Sequence, residues 1–234
     1  MVHYTDEEFI DTESVLIGEK ELSPELIELS KWISDEFKID VINLIVDYLS
    51  HLNRNRLQII TRTSKDACKF KESENWVGNF DKKKQEIVAQ KYLEIVEHQK
   101  TKNKGFLSLL KKNDFPASKK LFVCASAFNP IAREAIVAEI NGAKLEQFKK
   151  DINLSELWEI QTGYGGAHFF FYTNEQVNNI KDSSIYLKLK KDFLKIVKKH
   201  DKYGLLSDEN FRIHIDSKEN FDDNYESNWY YYYK

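Results

Sequence analysis

Apolar residues recur along this chain with two periods, and the switches between them mark out its elements. Ser23-Pro24 opens the first clear helix, because serine caps a helix and proline suits its first turn. Leu26, Ile27, Trp32, Ile33 and Phe37 then fall near one helical face. From Val41 the period drops to two, with Ile42, Leu44, Val46 and Tyr48 on one face. A polar stretch from His51 to Asn55 leads to a second strand-like run, Leu57 to Ile60, so the pair reads as a hairpin. Residues 71–82 read as loop. Gln85 to Gln99 reads as a helix with Val88, Tyr92, Ile95 and Val96 inward, and Leu121 to Ala125 as a short buried strand.

The same series then runs again. Asn129-Pro130 starts a helix over 131–140, which residues 144–150 extend beyond Gly142. Leu157 to Gln161 and His168 to Tyr172 form a hairpin around Thr162-Gly163-Tyr164-Gly165-Gly166. Ser184 to Lys199 is a helix with Tyr186, Leu189, Phe193, Ile196 and Val197 inward, and Phe211 to Ile215 is a strand. Lys218 to Tyr225 reads as a short helix and Trp229 to Tyr233 as a final strand.

Related phrases follow the strands: Thr63-Ser64-Lys65-Asp66, Thr173-Asn174-Glu175-Gln176 and Asp216-Ser217-Lys218-Glu219. A hydroxyl or carboxylate three residues before an acid or amide forms a capping box, which marks a strand turning sharply into a helix. The fold class expected is α+β, with two similar helix-strand-strand-helix-strand halves, a mainly antiparallel sheet and a C-terminal strand extension. The halves are 24–128 and 129–234, preceded by an acidic segment, 1–23, in one compact unit. Duplication and coincidence both explain the repeat, since capping boxes are common and residue identity between the halves is slight.

Charge is segregated. Residues 1–37 hold eleven acids against Lys20 and Lys31, a net of −9. Residues 81–120 hold eleven lysines against five acids, net +6, and residues 205–234 return to −4. Lysine outnumbers arginine thirty to five, which argues against a nucleic-acid reader that needs bidentate base contacts. The lysine-rich stretch 81–120 reads first as a solvated connection and only last as a nucleic-acid surface. No apolar run approaches the roughly 18 residues of a membrane helix, and the first nine residues lack the pattern of an export signal. The expectation is a cytoplasmic protein. Cys68 and Cys124 stand far apart in apolar stretches and read as buried thiols.

Few residues suggest chemistry. The glycines 163–166 lead into a strand rather than a helix, so they suit a hairpin turn better than a phosphate loop. Arg212, His214 and Asp216 alternate with Phe211, Ile213 and Ile215, as any half-exposed strand would. An enzyme reading would use His168 and His214 as acid–base groups and Tyr164 as a donor beside the glycine loop. The six histidines show no zinc spacing, and no metal or cofactor is expected. The C-terminus stands out: Asp222, Asp223 and Glu226 precede Trp229-Tyr230-Tyr231-Tyr232-Tyr233. Alternation would put Trp229, Tyr231 and Tyr233 on one face, as aromatic anchors beside acids. The leading expectation is a non-catalytic module that binds a basic protein. Its specific version is a bacterial immunity-type inhibitor that covers a toxin's active site.

Overall fold

The computed structural model describes residues 3–75, 77–103, 121–163, 165–181 and 183–234. The chain is α+β and divides into two compact units, Met1–Ile131 and Ala132–Lys234.

The first unit opens with helices α1 (Glu7–Leu16) and α2 (Pro24–Phe37). Helix α2 ends where Lys38 turns left-handed, and the chain enters β1 (Val41–Leu49). A 3-10 turn at Ser50–Leu52 leads to the antiparallel β2 (Arg54–Thr61). Thr63 then caps α3 (Ser64–Cys68), its hydroxyl accepting from the Asp66 N–H. Helix α4 (Lys82–Asn103) follows, and β3 (Phe122–Ala127) lies parallel beside β2. Leu29, Ile33, Leu44, Leu57, Ile59, Val88, Ile95 and Val123 form the core between this sheet and α2 and α4.

Helix α5 (Phe128–Ala138) comes directly after β3. In the second unit the series repeats: α6 (Gly142–Ile152), then the antiparallel pair β4 (Leu157–Gly163) and β5 (Gly166–Phe171). Thr173 caps α7 (Asn174–Ile180) with a complete capping box, in which Gln176 reaches back to the Thr173 N–H. Helix α8 (Ser184–Val197) leads to β6 (Ile213–Ser217), parallel to β5. The core here is Ile136, Val137, Phe148, Ile160, Phe169, Phe171, Leu189, Phe193 and Val197 with their neighbours.

The sequence expectations need three corrections. Each sheet is mixed rather than mainly antiparallel, because its third strand is reached through crossing helices, which return the chain in the parallel direction. The third capping motif sits one residue later than its sequence phrase: Ser217, not Asp216, accepts from the Asn220 N–H and starts α9 (Lys218–Tyr225). The C-terminal segment is no strand. Asn228 caps a short helix, α10 (Trp229–Tyr232), by accepting from the Tyr230 N–H. Aromatic residues favour strands only weakly, and here packing against the sheet decides.

The two units match in register. Thr61 pairs with Ala127 as Phe171 pairs with Ser217. Each hairpin slips by one residue at the start of its first strand, between Val41 and Asn43 and between Leu157 and Glu159. Such a bulge re-aims the extra side chain. In the second unit that side chain is Trp158.

Candidate functional site

The sheet of the second unit has one face in the core and one toward α9 and α10. Strand alternation sends Phe169 and Phe171 to the core and leaves His168 and Phe170 on the other side. Gln161, His168 and His214 lie in one row across the three strands, and Glu159, Phe170 and Asp216 in another.

Phe170 is fully buried and anchors an aromatic cluster. Trp229 meets it edge-on at 5.0 Å and Tyr232 at 5.2 Å. Trp158, placed here by the bulge, stacks on Trp229 at 6.0 Å, while Phe221 of α9 stacks on Trp229 at 4.1 Å. The Lys218 ammonium lies 5.4 Å from the centre of the Trp158 ring. Aromatic contacts of this kind contribute about 0.5–1.5 kcal/mol each beyond the area they bury.

Asp216 is the polar centre of the same face. Its oxygens accept from Asn220 Nδ2 at 3.0 and 2.9 Å, from Tyr232 Oη at 2.6 Å and from the Ser217 N–H at 2.7 Å. One carboxylate therefore ties β6 to both C-terminal helices. Burial and the adjacent carboxylate hold the Tyr232 phenol well above its usual value, so it stays a donor.

The structure brings His168 and His214 together. Their rings stack at 4.8 Å, and His168 also meets Tyr233 edge-on at 5.4 Å. His168 is half-buried, and its Nδ1 is enclosed without a hydrogen-bond partner among the described residues. Burial first, and the neighbouring His214 second, push its pKa below the ordinary histidine value; Asp216 opposes them. Asp216 itself is occupied by Asn220 and Tyr232, and Arg212 donates to the Phe211 carbonyl. The alternating Arg-His-Asp row thus serves three separate contacts. Tyr164 lies outside the described residues. Gly165, at φ +72, approaches Arg133 in the turn between β4 and β5, where a left-handed backbone suits glycine.

Helical geometry regroups the C-terminal aromatics. Trp229, Tyr232 and Tyr233, three and four residues apart, turn toward the sheet and are half-buried. Tyr230 and Tyr231 face outward, 67% and 46% exposed, so Tyr230 joins Tyr231 where alternation had paired Tyr231 with Trp229 and Tyr233. Asp223 and Glu226 are exposed beside them. Asp222 is engaged: Lys218 and the Ser227 hydroxyl both bind it and lower its pKa. Strand alternation separates Tyr230 from Tyr231, and it is the helix started by the Asn228 cap that brings both outward.

Elsewhere the chemistry is subdued. Burial pushes the Cys124 thiol up to about 11, which leaves it protonated and unreactive at neutral pH. Cys68 is likewise buried and free. Among the described residues no cluster of three or more His, Cys, Asp or Glu is arranged to hold a metal ion, and no helix is long and apolar enough to cross a membrane. Of the lysine-rich stretch 81–120, residues 104–120 lie outside the described residues. No protein-family model, curated protein or solved structure matches this chain.

Proposed function

We propose that the chain is a protein-binding module that engages a basic partner through α9 and α10. The observation that carries this reading is the outward pair Tyr230 and Tyr231, mounted on a packed aromatic base beside Asp223 and Glu226. Tyrosines present large contact area at little entropic cost, and a base that is already ordered reduces the cost further. Flanking carboxylates speed encounter with a positive surface and select against negative ones. The specific version is inhibition of a bacterial toxin by direct covering, as immunity proteins do. In this reading the histidines and Asp216 hold the binding helices in place.

The test compares wild type with Asp223→Lys/Glu226→Lys and with Tyr230→Ala/Tyr231→Ala as affinity baits. A captured partner is then purified and titrated against all three. The expected result is one stoichiometric basic protein whose affinity falls at least tenfold in each variant, with the charge variant losing mainly association rate. A partner that binds both variants as tightly as wild type would place the interface elsewhere.

A further inference from the structure

Helix α8 lies against the core side of the second unit's sheet, on the layer opposite α9 and α10. Leu189, Phe193, Leu194 and Val197 are buried in the core and fix which way the helix is rotated. That rotation brings Lys188, Lys191, Lys195 and Lys198 to the outer surface, all exposed. Their spacings of three, four and three residues keep them on one side of the helix, and so they form a row along it. Lys199 continues the row into the 3-10 turn Lys198–His200. From Ser184 to Lys202 there are seven lysines and only two acids. One of those acids, Asp201, is occupied in accepting from the Leu205 and Leu206 N–H groups. Lys190, off the row, donates to the Asp208 carbonyl. The five lysines 188, 191, 195, 198 and 199 make no ion pair or side-chain hydrogen bond among the described residues. The other acid, Asp192, lies on the same helix, four residues after Lys188 and three before Lys195, so it offsets part of the row's charge without an ion pair to it.

The matching helix of the first unit differs. Helix α4 mixes its charges, with Lys91 paired to Glu94 at 3.8 Å and Glu86 and Glu97 on the same helix. Lys84 of α4 is also ion-paired, to Glu74, so among the described residues the aligned row without ion pairs is found on α8 and not on α4.

We propose that the lysine row of α8 is a contact surface for the phosphate backbone of nucleic acid, bound without regard to sequence. From Lys188 to Lys198 the helix advances about 15 Å, at about 1.5 Å per residue. The phosphates of one strand rise about 3.4 Å each but wind around the duplex axis, so a straight row of about 15 Å follows two or three of them, enough to engage most of its lysines. Ammonium groups are point charges and suit phosphates. Reading bases in the major groove favours the guanidinium fork, and the row contains no arginine. The scarcity of arginine in the chain thus excludes sequence reading but leaves phosphate contact open. A membrane surface fits less well. A helix that lies in a bilayer interface inserts its apolar face, and α8 has already buried that face in the core, leaving only Ile185 and Leu187 exposed near its start.

The experiment is fluorescence anisotropy of the full chain with two labelled duplexes of about 20 base pairs and unrelated sequence, at a series of salt concentrations. It is repeated with Lys188→Gln/Lys191→Gln/Lys195→Gln/Lys198→Gln, whose fold is verified by circular dichroism and thermal melting. The expected result is equal affinity for both duplexes. Two or three released counterions give a slope of log K against log salt of about −1.8 to −2.7. The variant should lose more than tenfold in affinity and most of the slope. No saturable binding at low salt, or equal binding by the variant, overturns the proposal. So does flotation with phosphatidylserine vesicles in the absence of duplex binding, which would give the row to a membrane instead. Asp223→Lys/Glu226→Lys leaves this row intact, so the outcome is independent of the protein-partner reading.

Discussion

The two units of this chain share a frame and differ in what they place on its second face. Each is a hairpin with a one-residue slip, a threonine-capped turn into a helix, and a parallel third strand. Each sheet buries one face under long helices. On the other face of the first unit, α1 supplies the cover. Phe9 stacks on Phe128 at 5.1 Å, and Thr12 accepts from the buried Asn43 amide at 3.1 Å. Arg56 is held by Asp47 and Glu8, which raise its pKa further and keep it charged. On the corresponding face of the second unit, α9 and α10 supply the cover, and the register positions change character. Gln58 and Cys124 become His168 and His214, Ser126 becomes Asp216, and Ile60 becomes Phe170. The frame accepts either content because its core residues all lie on the opposite face. Function is then to be sought where the contents diverge: in the aromatic and acidic cover of the second unit, and in the lysine row on its far side.

The largest expected effect sharpens this contrast at one matched pair. Phe170→Ala removes the side chain on which Trp229, Tyr232 and Trp158 converge, and should cost about 3–5 kcal/mol. Ile60→Ala, at the same register position, should cost about 2–5 kcal/mol. The discriminating readout is partner binding and tryptophan fluorescence below the unfolding transition. Phe170→Ala should loosen α10 and change both, while Ile60→Ala should change neither. Identical behaviour of the two variants in folded samples would mean that α10 does not depend on Phe170.

A smaller effect tests the capped turns that begin α3 and α7. Thr173→Ala removes one arm of a reciprocal box, and Thr63→Ala removes a hydroxyl that accepts from the Asp66 N–H and donates to the Asp66 carboxylate. Each should lower stability by about 0.5–2 kcal/mol in urea titration. Near-zero cost at Thr173 would mean that the packing of α7 against the sheet, rather than its cap, fixes that turn.

These turns were legible in the sequence because a capping box is local: all its atoms lie within four residues. Pro24 likewise sits in the first turn of α2 as expected, although the Ser23 side chain makes no capping hydrogen bond, and the period-two runs of both hairpins are local too. What could not be read was set at long range. Trp158 faces α9 only because the hairpin slips at Leu157, and nothing in the run Leu157 to Gln161 announces that slip. Asp216 looks like a histidine partner in the strand pattern, yet its ligands are Asn220 and Tyr232 from two later helices. The tyrosine run suits a strand by composition, and it is helical because Trp229 and Tyr232 find Phe170 and Phe221. The lysine row of α8 was written in the sequence at spacing three and four. Charge count singles out the denser cluster at 81–120, whereas charge alignment on α8 becomes decisive only once its buried face is known.

The smallest effect concerns pH and the histidine pair that the first unit lacks. The pKa of His168 is lowered in the folded chain by burial and by His214. The unfolded chain therefore takes up a proton on this residue at higher pH than the folded chain does. Between the ordinary value of about 6.5 and the lower folded value, the unfolded state binds more protons, so stability rises with pH across that window. The contribution of His168 is fully present above about pH 6.5 and is lost as pH falls through the folded value. His168→Gln introduces the residue found at the matching position of the first unit and removes this titration. Urea midpoints at pH 7.5 and 5.5 should fall further in wild type than in the variant, with the two proteins closer at pH 5.5 than at pH 7.5 if histidine is the better fit when neutral. The groups facing His168 are His214 and Asp216 on β6, Tyr232 on α10 and Tyr233 just after it, so the readout to follow is the fluorescence of Trp229 beside them. An unchanged difference between the two midpoints in the variant would mean that other groups, and not the paired histidine, set the acid response of this unit.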